Sequence, residues 1–158
     1  METTDLIERI DWAQLIRDGR FNGWRQLHDR VAPDLSGCDL GGMVLEGLDF
    51  SSCNLSGVNL LNTHLYHCNL TAADLTGACL RETTIAEETS GADATFDGAD
   101  LQGCCFSECN LRGATFHDAD LHGVSFHECD CTEVRLDSGA DLSLAAFYNC
   151  QPEGFGED

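Results

Sequence analysis

The sequence predicts an all-β solenoid, a quadrilateral parallel β-helix of about five coils that follows a short N-terminal α-helical cap. The first observation behind this prediction is a five-residue repeat between residues 94 and 138, in which Phe or Leu holds the central position of nearly every unit. The second is that Ala, Cys or Val stands two positions before each centre. The third is that the centres alternate between Phe and Leu from Phe96 to Leu121.

A period of five residues fits neither an α-helix nor a flat strand. Five residues at about 100° each do not return to one face of a helix. In a strand, an odd step moves the side chain to the opposite face at every repeat. Both apolar positions stay inside if the chain turns a corner every five residues and stacks on itself. Because Phe and Leu alternate, like side chains stack only if each coil has an even number of sides, and four is the smallest even number that closes.

The sequence divides into three segments. Residues 1–32 are predicted to form the helical cap, residues 33–150 the β-helix, and residues 151–158 a C-terminal tail. The first coil of a solenoid exposes open backbone edges, and a cap that includes Trp12 and Trp24 covers them.

Two short helices are expected in the cap. Asp5 is the predicted N-cap of the first helix, which ends near Gly19. Asn22 is the predicted N-cap of the second helix, which ends before Pro33.

Units such as ADLQG at 99–103 and ADLHG at 119–123 resemble the pentapeptide repeat family, whose consensus is A(D/N)LXX. The resemblance covers roughly residues 33–150. It implies a right-handed quadrilateral β-helix with about twenty residues per coil, in which the centre and the residue two before it point inward. The motif is specific for the fold and carries little information about function.

The charge of the chain is distributed unevenly. The sequence has no lysine, eight arginines and 28 acidic residues, and its net charge is −20. Five arginines lie in the first thirty residues, so residues 31–158 hold 22 acids against three arginines and carry −19. This charge argues against direct binding to nucleic acid or to an anionic membrane, and it favours a basic protein partner.

The N-terminal residues METTDLIERI include acids and lack the apolar core of a secretion signal, and no apolar run is long enough to span a membrane. A cytoplasmic protein with reduced thiols is therefore expected. Seven of the ten cysteines fall on the small inward position, where cysteine packs as a small hydrophobe. Three of them, Cys109, Cys129 and Cys150, are predicted to form a thiol ladder on consecutive coils, at a spacing that would permit a disulfide.

The sequence predicts no metal site, no cofactor and no enzymatic activity. Paired ligands of the CxxC type are missing from the sequence. His117, His122 and His127 each follow a centre, so they are expected to face outward on three different sides. No nucleophile has an identifiable base and orienting partner, and a regular outer face offers no deep pocket.

Acidic residues are the most informative outward feature. Asp39, Asp100, Asp120 and Asp141 are expected on one side of the rod, as a carboxylate stripe. Like charges stacked at strand spacing repel one another, so their retention indicates a surface selected for its electrostatic field.

Residues 86–93 interrupt the repeat, because the centres Ile85 and Phe96 lie eleven residues apart instead of ten. The segment lacks an apolar centre and is expected to be a degenerate side or a projecting loop. Irregular segments on rigid scaffolds often carry recognition, which makes Glu87, Glu88 and Asp93 candidate binding residues. A tolerated insertion is the alternative.

The C-terminal end is predicted to form a homodimer. The tail contains Pro152, Gly154 and Gly156 and is too short and broken for a capping helix. Phe147, Tyr148 and Phe155 would then form an apolar end that invites self-association.

Some members of the family that the chain resembles are acidic rods that mimic duplex DNA and bind DNA gyrase or topoisomerase IV. Similarity in the repeat, the charge and the interruption implies such a DNA-mimicking role here. The chain departs from those members in its short length and its helical leader. The alternative function is a protein-interaction scaffold, adaptor or immunity protein that does not mimic DNA.

Overall fold

The computed structural model of the protein describes residues 10–137, 140 and 142–150. Two short helices come first, α1 (Trp12–Arg17) and α2 (Phe21–Leu27). Six strands follow: β1 (Val44–Glu46), β2 (His64–Tyr66), β3 (Thr84–Ala86), β4 (Cys105–Ser107), β5 (Ser125–His127) and β6 (Ala146–Tyr148). They form one parallel sheet in sequence order. Neither helix is long and apolar enough to cross a membrane, and the rest of the described chain has no such helix either.

Each coil has four sides of five residues, as the repeat predicts. On three sides the coils are joined by isolated parallel bridges, which begin with Asp34 to Asn54 on side 1, Asp39 to Asn59 on side 2, and Asp49 to Asn69 on side 4. Side 3 carries the strands β1 to β6, and here Leu45 pairs with Leu65 twenty residues on. The protein is therefore a parallel β-helix of about five coils, and the predicted fold class is confirmed.

The core is a set of columns in which each centre packs on the centre of the next coil. Phe96 stacks on Phe116 with ring centroids 4.8 Å apart on side 1. Phe106 stacks on Phe126 at 5.2 Å on side 3. Since these centres are fully buried, the alternation of Phe and Leu in the sequence is explained by a coil with an even number of sides.

The preference for Asp or Asn before the centre comes from the turn chemistry of the coil. On side 2, Asp39 Oδ1 accepts a hydrogen bond from the backbone N–H of Gly41 at 3.2 Å. The same oxygen accepts from the amide of Asn59 in the next coil at 2.8 Å. A short side chain that bonds to the backbone two residues ahead stabilises the corner. An amide in the same column also links successive coils.

The helical cap differs in detail from the prediction. Helix α1 begins at Trp12, and its N-cap is Asp11, whose side chain accepts from the N–H of Gln14. The predicted cap Asp5 lies outside the described residues. Asn22 is not the N-cap of α2 but lies inside it, because its side chain bonds to the β-helix: it donates to Gly47 O at 2.7 Å and accepts from Asp49 N at 3.0 Å.

Helix α2 also ends earlier than predicted, at Leu27 rather than close to Pro33. The backbone N–H of His28 closes the last turn on the carbonyl oxygens of Trp24 and Arg25. The chain then enters the first coil, where Asp34 makes the first bridge of side 1.

Residues 86–93 stay within the stack of coils. Ser90 bridges Asn69 below and Asn110 above, so side 4 continues through this segment. Gly91 occupies the central position, and a Cβ there would approach Leu111 Cδ2 to 3.1 Å. The extra residue lies at the preceding corner, where Glu87 and Glu88 both have left-handed backbone conformations (φ 55° and 60°). Leu111 thus fills the space that a large side chain at position 91 would otherwise occupy.

Candidate interaction surfaces

Side 2 carries the predicted carboxylate stripe. Consecutive coils present Asp39, Asn59, Cys79, Asp100 and Asp120 in one column. Asp39, Asp100 and Asp120 therefore share a side, but Asn59 and Cys79 separate the first from the other two. Asp141, the fourth residue predicted for the stripe, lies outside the described residues. The adjacent pair of carboxylates in the described column is Asp100 and Asp120.

Local hydrogen bonds favour the ionised form of Asp120. Gln102 donates to Asp120 Oδ2 at 2.6 Å. This bond, followed by one from the backbone N–H of His122, lowers the pKa of Asp120. Arg81 Nη1 lies 3.5 Å from Asp100 Oδ2, and both side chains are substantially exposed. Such an exposed ion pair contributes little stability, so Arg81 offsets only part of the negative charge on this side.

The three candidate residues of the interruption do not form one cluster. Glu87 and Glu88 lie at the corner between sides 3 and 4, and Asp93 lies at the next corner, where its N–H donates to Arg112 O at 2.8 Å. Glu87 pairs with His67 Nε2 at 3.2 Å. At the corner between sides 3 and 4, Glu88 is followed in the next coil by Glu108, and its N–H donates to Glu108 O at 3.1 Å. Glu128 occupies the same corner one coil later.

Side 3 is a nearly uncharged surface that the sequence analysis did not identify. Its outward positions carry one carboxylate, Glu46, among the described strands. The other outward side chains are small, polar or aromatic, as with Tyr66 in β2 and Tyr148 in β6. Tyr148 is 56% exposed and stacks on His127 with centroids 4.6 Å apart. The signal for this surface was in the sequence: apart from Glu46, the residues on both sides of every fourth centre are uncharged.

The predicted histidines point to three different sides. His117 lies on side 1, where its backbone N–H donates to Asp97 and its Nδ1 contacts Asp137 Oδ1 at 2.9 Å. The hydrogen bond from Asp118 N, together with the contact to His117, lowers the pKa of Asp137. His122 follows a centre of side 2 and His127 belongs to β5. No group of His, Cys, Asp or Glu suited to holding a metal occurs in the part of the chain that the structure describes.

The predicted dimer end has partly open apolar side chains. Phe147 stacks on Phe126 at 5.1 Å through one ring face, yet it is only partly buried, unlike the Phe centres before it. Leu144 is 75% exposed in the same coil. Phe155 lies outside the described residues.

The family profile described as "Pentapeptide repeats" matches the sequence with 8 copies, over residues 34–65, 49–85 and 94–130. None of the curated proteins is similar to the chain in sequence.

Among solved structures, a trypsin-treated variant of QnrB1, a plasmid-mediated fluoroquinolone resistance protein, is 19% identical with a TM-score of 0.52. The match covers 79% of this chain and 75% of QnrB1. Rfr23 from the cyanobacterium Cyanothece 51142 is 20% identical with a TM-score of 0.38, over 87% of this chain and 97% of Rfr23. HetL from Nostoc sp. strain PCC 7120, a protein involved in heterocyst differentiation regulation, is 22% identical with a TM-score of 0.31, over 73% and 75%. At these identities the matches show the fold alone.

Proposed function

The chain belongs to the pentapeptide repeat family, and from this premise we propose that it is a non-enzymatic, cytoplasmic interaction protein that binds a DNA-handling enzyme in place of duplex DNA. The candidate partner is a type II topoisomerase, DNA gyrase or topoisomerase IV. Neither a cofactor nor a metal takes part in this function. The protein binds a basic surface of the enzyme and does not itself bind nucleic acid.

The linear charge density of the rod is the observation that carries this proposal. Residues 33–150 contain 19 acids and three arginines, a net charge of −16. Five and a half coils at strand spacing make a rod about 26 Å long, which gives about one charge per 1.6 Å. Duplex DNA carries about one charge per 1.7 Å of helix axis. A basic cleft that holds DNA therefore meets a similar density of negative charge on this rod.

The test uses Asp100 and Asp120 of side 2, together with Asp141, which the sequence predicts for the same side. The triple variant Asp100→Asn, Asp120→Asn, Asp141→Asn removes three charges and keeps side chains that can still accept hydrogen bonds at the turns. We expect weaker binding to gyrase and a lower dependence of binding on salt, because fewer ionic contacts form. The measurement is the dissociation constant for gyrase at several salt concentrations.

A matched variant removes the same charge from another edge of the rod. Glu88→Gln, Glu108→Gln and Glu128→Gln alter the corner between sides 3 and 4, so a smaller loss of affinity is expected if side 2 makes the contact. If both variants lose the same affinity, binding depends on the total electrostatic field of the rod and not on one side. Unchanged affinity and salt dependence in the side-2 variant would contradict DNA mimicry.

Glu87, Glu88 and Asp93 extend this proposal to the interruption of the repeat. Glu87 and Glu88 both adopt left-handed backbone conformations, so this corner has two residues, and two carboxylates, where a regular five-residue step has one. Deletion of Glu88 restores the five-residue step and should leave a folded rod. Reduced partner binding by this variant is the expected result, whereas full binding would show that the extra residue is only a tolerated insertion.

A homodimer through the C-terminal end completes the proposal. Phe147 and Leu144 leave apolar surface at this end, and a second copy related by a twofold axis is the simplest cover. Light scattering should give about 34 kDa, twice the chain mass of 17.2 kDa. The Phe147→Asp variant should give the mass of one chain. A wild-type monomer at micromolar concentration would contradict the dimer.

The uncharged surface of side 3 favours a second candidate function, a scaffold or adaptor that binds one partner through a local patch. Surfaces depleted of charge and containing Tyr are typical of interface centres. Tyr148 is 56% exposed and Tyr66 is partly exposed on this side. Binding that is insensitive to salt and lost in Tyr66→Ala or Tyr148→Ala would identify the scaffold; strong salt dependence would identify the DNA mimic.

A further inference from the structure

Three cysteine side chains follow one another on the inner face of side 4. Cys109 and Cys129 each stand one residue before the bridged column of side 4, and Cys150 follows in the next coil, against the backbone of Cys129. The backbone N–H of Cys129 lies 3.4 Å from Cys150 Sγ. One coil below Cys109 the same position holds Thr89, whose hydroxyl accepts from the N–H of Cys68 at 3.1 Å. Thr89 thus separates Cys68 from the three adjacent thiols.

The chemical states of these thiols differ. A hydrogen bond from the Cys109 thiol outweighs the effect of burial and lowers the pKa of Cys129. Burial raises the pKa of Cys68 to about 11. A lowered pKa increases the fraction of Cys129 that is present as thiolate, the form that reacts as a nucleophile. Cys68 remains a protonated thiol under the same conditions.

The surroundings of the two neighbours of Cys129 also differ. Cys109 is buried, and its sulfur lies 3.0 Å from Ile85 O. Cys150 is partly exposed in the last described coil, and its sulfur makes a longer contact of 3.4 Å with Tyr148 O. A thiol in the terminal coil has more freedom to move toward a partner than one enclosed between two coils. Strand spacing places the two Cα atoms about 4.8 Å apart, within the range that a disulfide requires.

We propose that Cys129 and Cys150 form an oxidation site, at which hydrogen peroxide converts the two thiols into a disulfide that joins the last two coils. In the first step the Cys129 thiolate attacks one peroxide oxygen, the O–O bond breaks, and hydroxide leaves and takes up a proton to give water. Cys129 is then a sulfenic acid. In the second step the Cys150 sulfur attacks the Cys129 sulfur, the S–O bond breaks, and the leaving hydroxide takes the Cys150 proton. Two thiols are oxidised and one peroxide is reduced to two waters.

The disulfide closes the segment from Cys129 to Cys150, which contains Phe147 and the end of the rod. Oxidation therefore fastens the coil that the proposed homodimer uses. The reaction does not depend on the proposed function, because its readout is the covalent state of the chain.

Tryptic peptides of the whole protein resolve this pairing. Cleavage after Arg112 and Arg135 separates Cys109, Cys129 and Cys150 into three peptides, and Cys68 lies in a fourth that ends at Arg81. After treatment with hydrogen peroxide and alkylation of the remaining thiols, we expect peptide 113–135 linked to peptide 136–158. Fragment spectra distinguish Cys129 from Cys131 in the first of these, and reduction should separate the pair.

Three variants sharpen the result. Cys129→Ser should abolish the cross-link, and Cys150→Ser should instead leave one added oxygen on Cys129 as a sulfenic acid. Cys68→Ser serves as the control and should cross-link at the wild-type rate. Full alkylation of Cys129 and Cys150 after peroxide would overturn the proposal, as would a cross-link from peptide 113–135 to the peptide that holds Cys109.

Discussion

The two ends of the β-helix differ in how their apolar cores are covered. At the N-terminal end, Phe21 of α2 is 0% exposed and lies 5.1 Å from Phe50. Trp12 of α1 meets Phe21 edge to face at 6.2 Å. At the C-terminal end, Phe147 packs on Phe126 from one side and stays partly exposed. Because the coils are alike, each one covers the core of its neighbours inside the rod. The terminal coils lack a neighbour on one side, so each end needs its own cover.

The largest expected effect is at the covered end. Phe21→Ala should lower the free energy of unfolding by about 3–5 kcal/mol, because it empties the space between the cap and the first coil. Chemical denaturation of the wild type and the variant measures this difference. Phe21→Leu is the control, and it should lose less than about 1.5 kcal/mol since most of the volume is kept. A loss in Phe21→Ala no larger than the control would mean that the cap is not part of the cooperative fold.

A smaller effect is expected at the other end. Phe147→Ala should cost about 1–2 kcal/mol, because this ring is only partly buried. The same denaturation experiment measures it at two protein concentrations. If a second copy covers the end, the loss should grow with concentration, because association stabilises only the folded wild type. A loss as large as that of Phe21→Ala at low concentration would contradict the difference between the ends.

Attachment of the cap to the first coil is expected to depend on pH. Burial works to raise the pKa of Asp49, but hydrogen bonds from Ser51 and the charge of Arg25 outweigh it and lower the pKa. A depressed carboxyl pKa stabilises the fold above the pKa of the unfolded chain, and this stabilisation is lost as pH falls through the folded value. Asp49→Asn should therefore cost about 1 kcal/mol at pH 7, after allowance for the exposure of the pair, and almost nothing well below pH 4.

Arg25→Gln and the double variant complete a cycle for this contact. The guanidinium lies 3.4 Å from Asp49 Oδ2 and also donates to Ser51 O at 2.9 Å. A coupling energy between positions 25 and 49 that is present at pH 7 and lost at low pH is the expected outcome. A coupling that does not change with pH would mean that charge is not what joins the cap to the coil.

The smallest effect concerns α1, which begins the cap. Asp11 Oδ1 accepts from Gln14 N at 2.9 Å, so Asp11→Ala should cost about 0.5–1 kcal/mol. Asp11→Asn keeps the acceptor and should cost less. Thermal unfolding followed by circular dichroism distinguishes the two. Equal effects from the two variants would assign the contribution to charge instead of the hydrogen bond.

The sequence predicted the interior of the protein better than its surface. The centres from Leu35 to Leu136 are buried as the repeat indicates, since a coil closes only when these positions point inward. The N-cap role of Asn22 was wrong because capping preferences are local, whereas its side chain bonds to Gly47 and Asp49 in the first coil. No pattern within the helix contains that information.

The candidate surfaces were predicted only in part. Repeat spacing places Asp39, Asp100 and Asp120 on one side, and the bridges agree. The continuity of the stripe was not predicted correctly, because Asn59 and Cys79 separate Asp39 from the other two in this column. The uncharged surface of side 3 was not predicted either, because it is marked by a scarcity of acidic residues and not by a motif.

The sequence by itself determined the coil, its four sides and the direction of each repeated side chain, because an inward apolar position repeats every five residues and permits one way of burying both. Tertiary structure decided which outward side chains meet, since those lie about twenty residues apart and a single extra residue shifts their register. The corner at Glu87 and Glu88 absorbs that residue, and Gly91 then occupies a central position beneath Leu111. Outward positions have no packing requirement to fix them, so only the stacked coils show that His67 pairs with Glu87 and that Cys129 lies beside Cys150.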